Sequence, residues 1–477
     1  MTTGAKVVVG AISLVGILGA AIAINNIFPP VDHSKVAVSA MDIDNGDLKI
    51  NWERYNSYEI DLSSTNDLAI TNSGTYRLKG ESDQPVIINA GTGVVKLILD
   101  NVTIKNSSGP AIACYSADDL VIELVGDNVL ADGSSYSSEY DEDVTGVIYS
   151  KSDTTFQGEG SLELTGNFQD AIVSKDDLKF TNGKYVINAT DDGIRGKDSV
   201  YIVDGEFNIV SKGDAIKSTN TTTAGKGFVL IENGDIKIAS GDDAIHAESI
   251  LEVCDGTIYV EKSYEGLEAP KIVINGGDIA IAANDDGINA GSSSNNTTAT
   301  NNMMQDADAN CEIIVNAGTV YVNAAGDGID SNGYIYFNGG EVIVDGPTNN
   351  GNGALDAGIA IYANGANVIA VGSSGMAETL GSSSAVNNIS VYFSTAQKAK
   401  TEVSIKDSSG EVIVEHTSAK TFSHMAVSSK KFETGKEYTI YINGEKYQTF
   451  TVIDTTTVVG ENTTNYMNAM PGRGVTR

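Results

Sequence analysis

Basic residues, cysteine and histidine are all scarce in this chain of 477 residues. Its 30 Lys and Arg stand against 63 Asp and Glu, a formal charge of −33. A surface that acidic repels nucleic acid and anionic lipid, and neither is expected as a partner. It also repels acidic polysaccharides unless cations intervene. The three cysteines, Cys114, Cys254 and Cys311, show no C-x-x-C spacing and are odd in number, which excludes a disulfide frame and a thiolate zinc site. They read as buried thiols. Among only 4 histidines no Ser-His-Asp or Cys-His arrangement is recognisable, and phosphate-binding glycine loops are missing. From Asp170 to Asn352 no helical period appears either.

What is present is a repeat of about 22 residues. An acidic turn followed by an aliphatic residue returns at Asp170, Asp192, Asp214, Asp243, Glu265, Asp286 and Asp327, with insertions at 219–226 and 291–310. A glycine turn keeps the same phase at Gly183, Gly205, Gly234, Gly256, Gly277, Gly318 and Gly340. Between these corners lie alternating runs such as Val200-Tyr201-Ile202 and Ile279-Ala280-Ile281, whose period of two and β-branched residues mean strands. So short an all-strand unit cannot bury a face alone, so copies must stack. Stacking places Ile202, Ile231, Val253, Ile274, Val315 and Phe337 in one interior column and Ile209, Ile238, Val260, Ile281, Val322 and Val344 in another. The fold class expected is all-β, a parallel β-helix, right-handed by the usual crossover preference. The frame of leucine-rich repeats is absent.

The helix is expected over 74–371, about a dozen coils making a rod of roughly 55–60 Å. Residues 1–30 read as a signal peptide or N-terminal membrane anchor: Val7 to Ile24 is apolar and uncharged, and Ala21-Ile22-Ala23 suits cleavage. Export, to the medium or the cell surface, follows. Residues 31–73 read as a linker and N-terminal cap with the single tryptophan, Trp52. The run 372–386 is a Gly/Ser linker by composition, 387–454 a small antiparallel β-sandwich-like domain, and 455–477 a flexible tail. The acidic loop 132–144 reads as solvated, with cation binding as its alternative.

Chemistry is expected at the acidic corner. Stacking sets Asp192, Asp214, Asp243, Glu265 and Asp286 about 5 Å apart, which is unfavourable unless a cation neutralises them or turn amides bond to them. The acid is doubled at Asp191 and Asp192, Asp242 and Asp243, and Asp285 and Asp286. Hard oxygens in that number suit Ca2+, for which Glu268, Asp327 and Asp330 are further candidate ligands. An Asx-turn role is the plainer alternative. Three residues after each corner acid the chain carries Val173, Arg195, Lys217, His246, Glu268, Asn289 and Asp330, basic in one half and acidic in the other. If this column faces outward, Arg195, Lys197, Lys217 and His246 would hold an anionic sugar, and Tyr264 could stack on a pyranose ring. Variation among exposed residues is the alternative.

The repeated turns, among them Asp191-Asp192-Gly193-Ile194-Arg195-Gly196-Lys197-Asp198, Asp285-Asp286-Gly287-Ile288-Asn289-Ala290 and Gly326-Asp327-Gly328-Ile329-Asp330, together with Gly346-Pro347-Thr348-Asn349-Asn350-Gly351, resemble a bacterial family of carbohydrate-binding domain-containing proteins, similar in fold to pectate lyases. The resemblance covers roughly 70–370. It implies a right-handed parallel β-helix, calcium, secretion, and binding of plant-type or acidic polysaccharides, polygalacturonate-like or cellulose-like. Gly241-Asp242-Asp243 is similar to the aspartate pair of pectin hydrolases, but their N-T-D and R-I-K motifs are not evident here. The leading expectation is a calcium-dependent polysaccharide-binding protein without turnover. Its alternatives are a calcium-dependent lyase with Arg195, Lys197 or Lys217 as base, and a structural fibre or adhesin subunit.

Overall fold

The structure, a computed structural model, describes residues 41–65, 68–291 and 307–462. The apolar run from Val7 to Ile24 and most of the insertion 291–310 lie outside the described residues. Among the described residues no helix is long and apolar enough to cross a membrane.

Each regular coil contributes three strands, as in Asp170–Ser174, Asp177–Phe180 and Lys184–Ala189, followed one coil later by Ile194–Gly196, Ser199–Ile202 and Glu206–Val210. Equivalent strands pair in parallel and in register, which makes a parallel β-helix with three sheet faces. The face that carries the acidic corner is a sheet of 12 short strands, so the rod has about a dozen coils. Both interior columns form as expected: Ile202 pairs with Ile231, then Val253, Ile274, Val315 and Phe337, while Ile209 leads through Ile238, Val260 and Ile281 to Val322 and Val344. All are essentially inaccessible to solvent. Truncating one such isoleucine to alanine costs about 2–5 kcal/mol, because neighbouring coils cannot collapse into the gap.

The glycine corner has a steric cause. Gly256 and Gly277 have φ of 96° and 85°, and a Cβ on Gly277 would lie 2.7 Å from the carbonyl oxygen of Gly256 in the preceding coil. The left-handed conformation and the close approach both require glycine.

Four boundaries differ from the sequence expectation. Ser57–Asp61 already pairs in parallel with Gly74–Ser82, so coiling starts before residue 74. Upstream, 41–54 is no linker: Asp47 makes a buried ion pair with Lys179 at 2.8 Å, and Met41 and Ile43 pack on Tyr201, Phe228 and Leu230. Residues 372–386 do not link but close the rod, with Leu380 in the main core and Ser384 accepting a hydrogen bond from the Ala363 amide at 2.8 Å. Composition hides this, because one leucine among small residues is enough to plug a narrow end.

Beyond the plug, Phe422–Ser428 pairs antiparallel with both Asn367–Gly372 of the last coil and Asn388–Gln397. A second, four-stranded antiparallel sheet packs against this extension around Val391, Ile405, Met425 and Ile440. The expected tail does not begin at 455, since Thr456–Val459 pairs in parallel with Asn388–Gln397, and residues 463–477 lie outside the described residues. Asp345 fastens this unit to the rod: His416 Nε2 lies 2.9 Å from its carboxylate, and Ser418 Oγ and Tyr321 Oη donate to it at 2.8 and 2.9 Å. The three cysteines are free; Cys114 and Cys311 are buried and Cys254 is half-buried.

Candidate functional site

Strand register assembles the column at the acidic corner. Val173, Arg195, Lys217, His246, Glu268, Asn289 and Asp330 are successive pairing partners, and Asp356 extends the series by one coil. At one end the acids Glu139, Asp141, Glu142 and Asp143 of the loop 132–144 are exposed, as expected of a solvated loop, while the loop's aromatic residues pack inward. Its Tyr136, Tyr140 and Val144 cover Tyr149 and Val173, and Asp132 accepts from Tyr136 Oη at 2.8 Å. At the other end the closing segment brings Glu378 beside Asp356.

In the first half of the corner the carboxylates are already used. Asp170 is fully buried; its Oδ1 accepts the Asp192 amide at 3.1 Å, and its Oδ2 accepts from Arg195 Nη2 and Thr145 Oγ1, each at 2.6 Å. Asp192 accepts the Asp214 amide at 3.0 Å, and Asp214 accepts the Asp243 amide at 2.9 Å. Asp170, Asp192 and Asp214 thus each hold the backbone of the next coil, the amide-bonded alternative named for these turns. Lys217 Nζ lies 2.5 Å from Asp214, and His246 Nδ1 lies 2.5 Å from Glu268 and 3.3 Å from Asp243. Burial pulls the His246 imidazole down, but its bonds to Asp243 and Glu268 overcome this and push it up to about 10. Lys217 is raised too, burial being outweighed by Asp214. Arg195, Lys217 and His246 are therefore ion-paired with the ladder. Asp192, buried between Asp170 and Asp214, is pushed up to about 7.

Past Glu268 the second half has the same backbone and, among the described residues, no such cations. The ladder skips Glu265, whose longer side chain accepts from Asn289 Nδ2 at 2.9 Å, and resumes where Asp286 accepts the Asp327 amide at 2.6 Å and Asp327 the Gly353 amide. Burial, with like charges around it, pushes Glu265 and Asp327 each up to about 8 and Asp286 to about 6. Burial beside Asp356 and Asp330 pushes Glu378 up to about 7. Carboxylate oxygens of Asp286, Asp327 and Asp330 lie within 4.8 Å of one another. The buried Oδ1 of Asn289, between Glu268 and Asp330 in the column, has no hydrogen-bond partner.

Other expected residues are placed differently. Lys197 lies past the strand Ile194–Gly196, is 53 % exposed and sits 3.7 Å from Asp198, so it does not join Arg195 in the column. Asp191 and Asp242 are the exposed members of their pairs, beside buried Asp192 and Asp243. Asp214, Asp242 and Asp243 also come within 4.8 Å, but Lys217 and His246 already stand there. Asp285 is half-buried, and Tyr264 is 48 % exposed beside it, its hydroxyl raised by a bond to Asp285. Sequence reasoning missed Asp356 and Glu378. The first was legible, because Ala354-Leu355-Asp356 repeats the corner frame; Glu378 has no signal in a Gly/Ser-rich run.

The chain was also compared with known proteins. The family of carbohydrate-binding domain-containing proteins matches residues 64–307, just over half of the chain. A carbohydrate-binding domain-containing protein of Acetivibrio thermocellus is 34 % identical over 167 residues, 32 % of this chain and 58 % of that relative, so the match spans little more than half the relative's length. A solved polysaccharide lyase-like protein from C. thermocellum, a gadolinium derivative, is 30 % identical and is matched over 47 % of this chain and 92 % of its own, with a TM-score of 0.42, too low for detailed superposition. By the match that covers most of its coils, the chain belongs to the family of carbohydrate-binding domain-containing proteins.

Proposed function

We propose that this protein is an exported, calcium-dependent polysaccharide-binding protein without catalytic turnover, and that it engages its glycan along the corner face. The observation that carries this reading is the change of charge along one in-register column: Arg195, Lys217 and His246 pair with acids of its first half, whereas among the described residues no Lys, Arg or His pairs with Asp286 or Asp327 further along. Family membership supports a carbohydrate ligand, and the apolar run from Val7 to Ile24 supports export.

The donors of the second half fit calcium. Asp286, Asp327 and Asp330 offer hard carboxylate oxygens within 4.8 Å, and the orphaned amide oxygen of Asn289 lies on the same strand ladder. Calcium takes 6–8 oxygens, so this set would leave positions open to glycan carboxylates or hydroxyls. Bound calcium would supply the positive charge that lets an acidic protein hold an acidic polymer. The protein residues keep their carboxylates aligned at one strand spacing and present Tyr264 at the edge. Glu265, Asp285, Asp356 and Glu378 add negative charge around the cluster. Asp192 and Asp214 are spent on the ladder and have no part in it.

Lyase chemistry finds little support here. Proton removal beside a uronate carboxylate needs a neutral base, whereas Lys217 is held charged by Asp214, Arg195 is bound to Asp170, and Lys197 lies outside the column beside Asp198. The test is electrophoresis of the chain through polygalacturonate gels with calcium and with chelator, while absorbance of unsaturated uronate is followed. Retardation only with calcium, and no absorbance, is expected. Rising absorbance would make the protein a lyase, and mobility unaffected by the polymer would remove polygalacturonate as the ligand.

A further inference from the structure

The middle of the column differs chemically from both halves, because its donors include a nitrogen. We infer that Asp243, His246 and Glu268 form a site for a borderline divalent transition metal such as zinc, separate from the hard-oxygen cluster at Asp286, Asp327 and Asp330. Nδ1 of His246, one carboxylate oxygen of Asp243 and one of Glu268 all lie within 4.8 Å of each other. Zinc bound at about 2.0–2.1 Å with tetrahedral angles holds its donor atoms roughly 3.3 Å apart. The Nδ1 to Asp243 distance is already 3.3 Å, and the Nδ1 to Glu268 distance of 2.5 Å, now a hydrogen bond, needs only to open as the metal takes the proton's place.

The far side of the ring is also prepared. Nε2 faces Glu248 Oε1 at 3.6 Å, and the other oxygen of Glu248 is buried without a hydrogen-bond partner. A carboxylate behind the non-ligating nitrogen fixes the tautomer of a metal-binding histidine and strengthens its lone pair. Charge favours the exchange. Asp214, Asp242, Asp243, Glu248 and Glu268 cluster around Lys217 and His246 alone, so replacing one proton by a divalent ion relieves an existing excess of negative charge. Position is fixed as well, since Ile245, Ala247 and Leu267, which flank the ligands, are fully buried in the core. An imidazole together with carboxylates suits zinc, copper or nickel better than calcium. With three protein donors, one tetrahedral position stays open to water or a ligand.

The experiment uses the full chain, stripped with chelator and desalted, titrated with Co2+ by visible absorption and with Zn2+ by calorimetry. The expected result is one equivalent of tightly bound Co2+ with the intense bands of a four-coordinate ion. Zn2+ should displace it, excess Ca2+ should not, and Asp327→Asn should leave it intact. His246→Asn should weaken binding more than 100-fold, and Glu248→Gln about 10-fold, the size typical of outer-shell partners. Should His246→Asn fail to fold, Glu268→Gln gives the same reading with a smaller perturbation. Absence of the bands in the parent chain, or unchanged affinity in the ligand variants, overturns the inference. Because calcium is lost in Asp327→Asn and zinc in His246→Asn, failure of one site is distinguishable from failure of the other.

Discussion

The two halves of the corner face share a backbone, a repeat and a row of acids, yet they solve the same electrostatic problem in opposite ways. In the first half Asp170, Asp192 and Asp214 each accept the next coil's amide, and Arg195, Lys217 and His246 pair with Asp170, Asp214 and Asp243. From Asp286 to Asp356, with Glu378 alongside, the amide bonds persist in part, but among the described residues no cation joins them, and burial drives these carboxyls upward as it does Asp192. The first half carries cations of its own chain. The second, on the calcium reading proposed above, would gain its positive charge by binding, and buried acids with raised pKa values are where function is to be sought.

Substitutions in the two halves should therefore act with opposite sign. Arg195→Ala leaves Asp170 buried and unpaired, and urea denaturation should show a loss of about 3 kcal/mol. The comparison breaks if that loss is absent. In the second half, calcium should raise the Tm of the parent chain by roughly 3 °C at 100 times its Kd, and Asp327→Asn should abolish the increase, as scanning calorimetry would show. Without metal, the same Asp327→Asn should stabilise the chain at pH 8 by about 1 kcal/mol, a discounted figure because the group keeps some exposure.

The pH dependence sharpens the contrast. Glu265 and Asp327 are raised to about 8 in the folded chain, well above the carboxylate range they regain on unfolding. The unfolded state therefore releases protons that the folded state keeps, and the stability this supplies is present at low pH and lost as pH climbs towards 8. His246, raised to about 10, acts in the same direction at higher pH. Metal-free protein should melt lower at pH 8 than at pH 5, and saturating calcium should flatten that slope. The smallest effect is expected from Lys197→Ala, below about 0.5 kcal/mol, since that side chain is exposed and its ion pair is weak.

The coils were legible in the sequence because each demand of the solenoid falls on one residue type at a fixed interval: isoleucine and valine inward, glycine where Gly256 and Gly277 turn left-handed, acid where Asp192 and Asp214 hold the next coil. The ends were not. Leu380 closes the rod from a Gly/Ser-rich run, and 41–54 docks through Asp47, Met41 and Ile43, contacts made across long sequence separation that no local period reveals. For the site, the pattern in sequence located the charged column and its change of sign, whereas which acids were already bonded depended on side-chain direction. Lys197 shows the limit: two residues from Arg195, it leaves the strand and faces Asp198.

The measurement that bears most directly on this account is calorimetric titration of calcium into the parent chain, Asp327→Asn and Arg195→Ala, at a pH near 8. Saturable binding in the parent, its loss in Asp327→Asn and its survival in the folded fraction of Arg195→Ala are predicted. Heat of binding that is absent from the parent, or unchanged in Asp327→Asn, would contradict the assignment of the uncompensated half as the cation site.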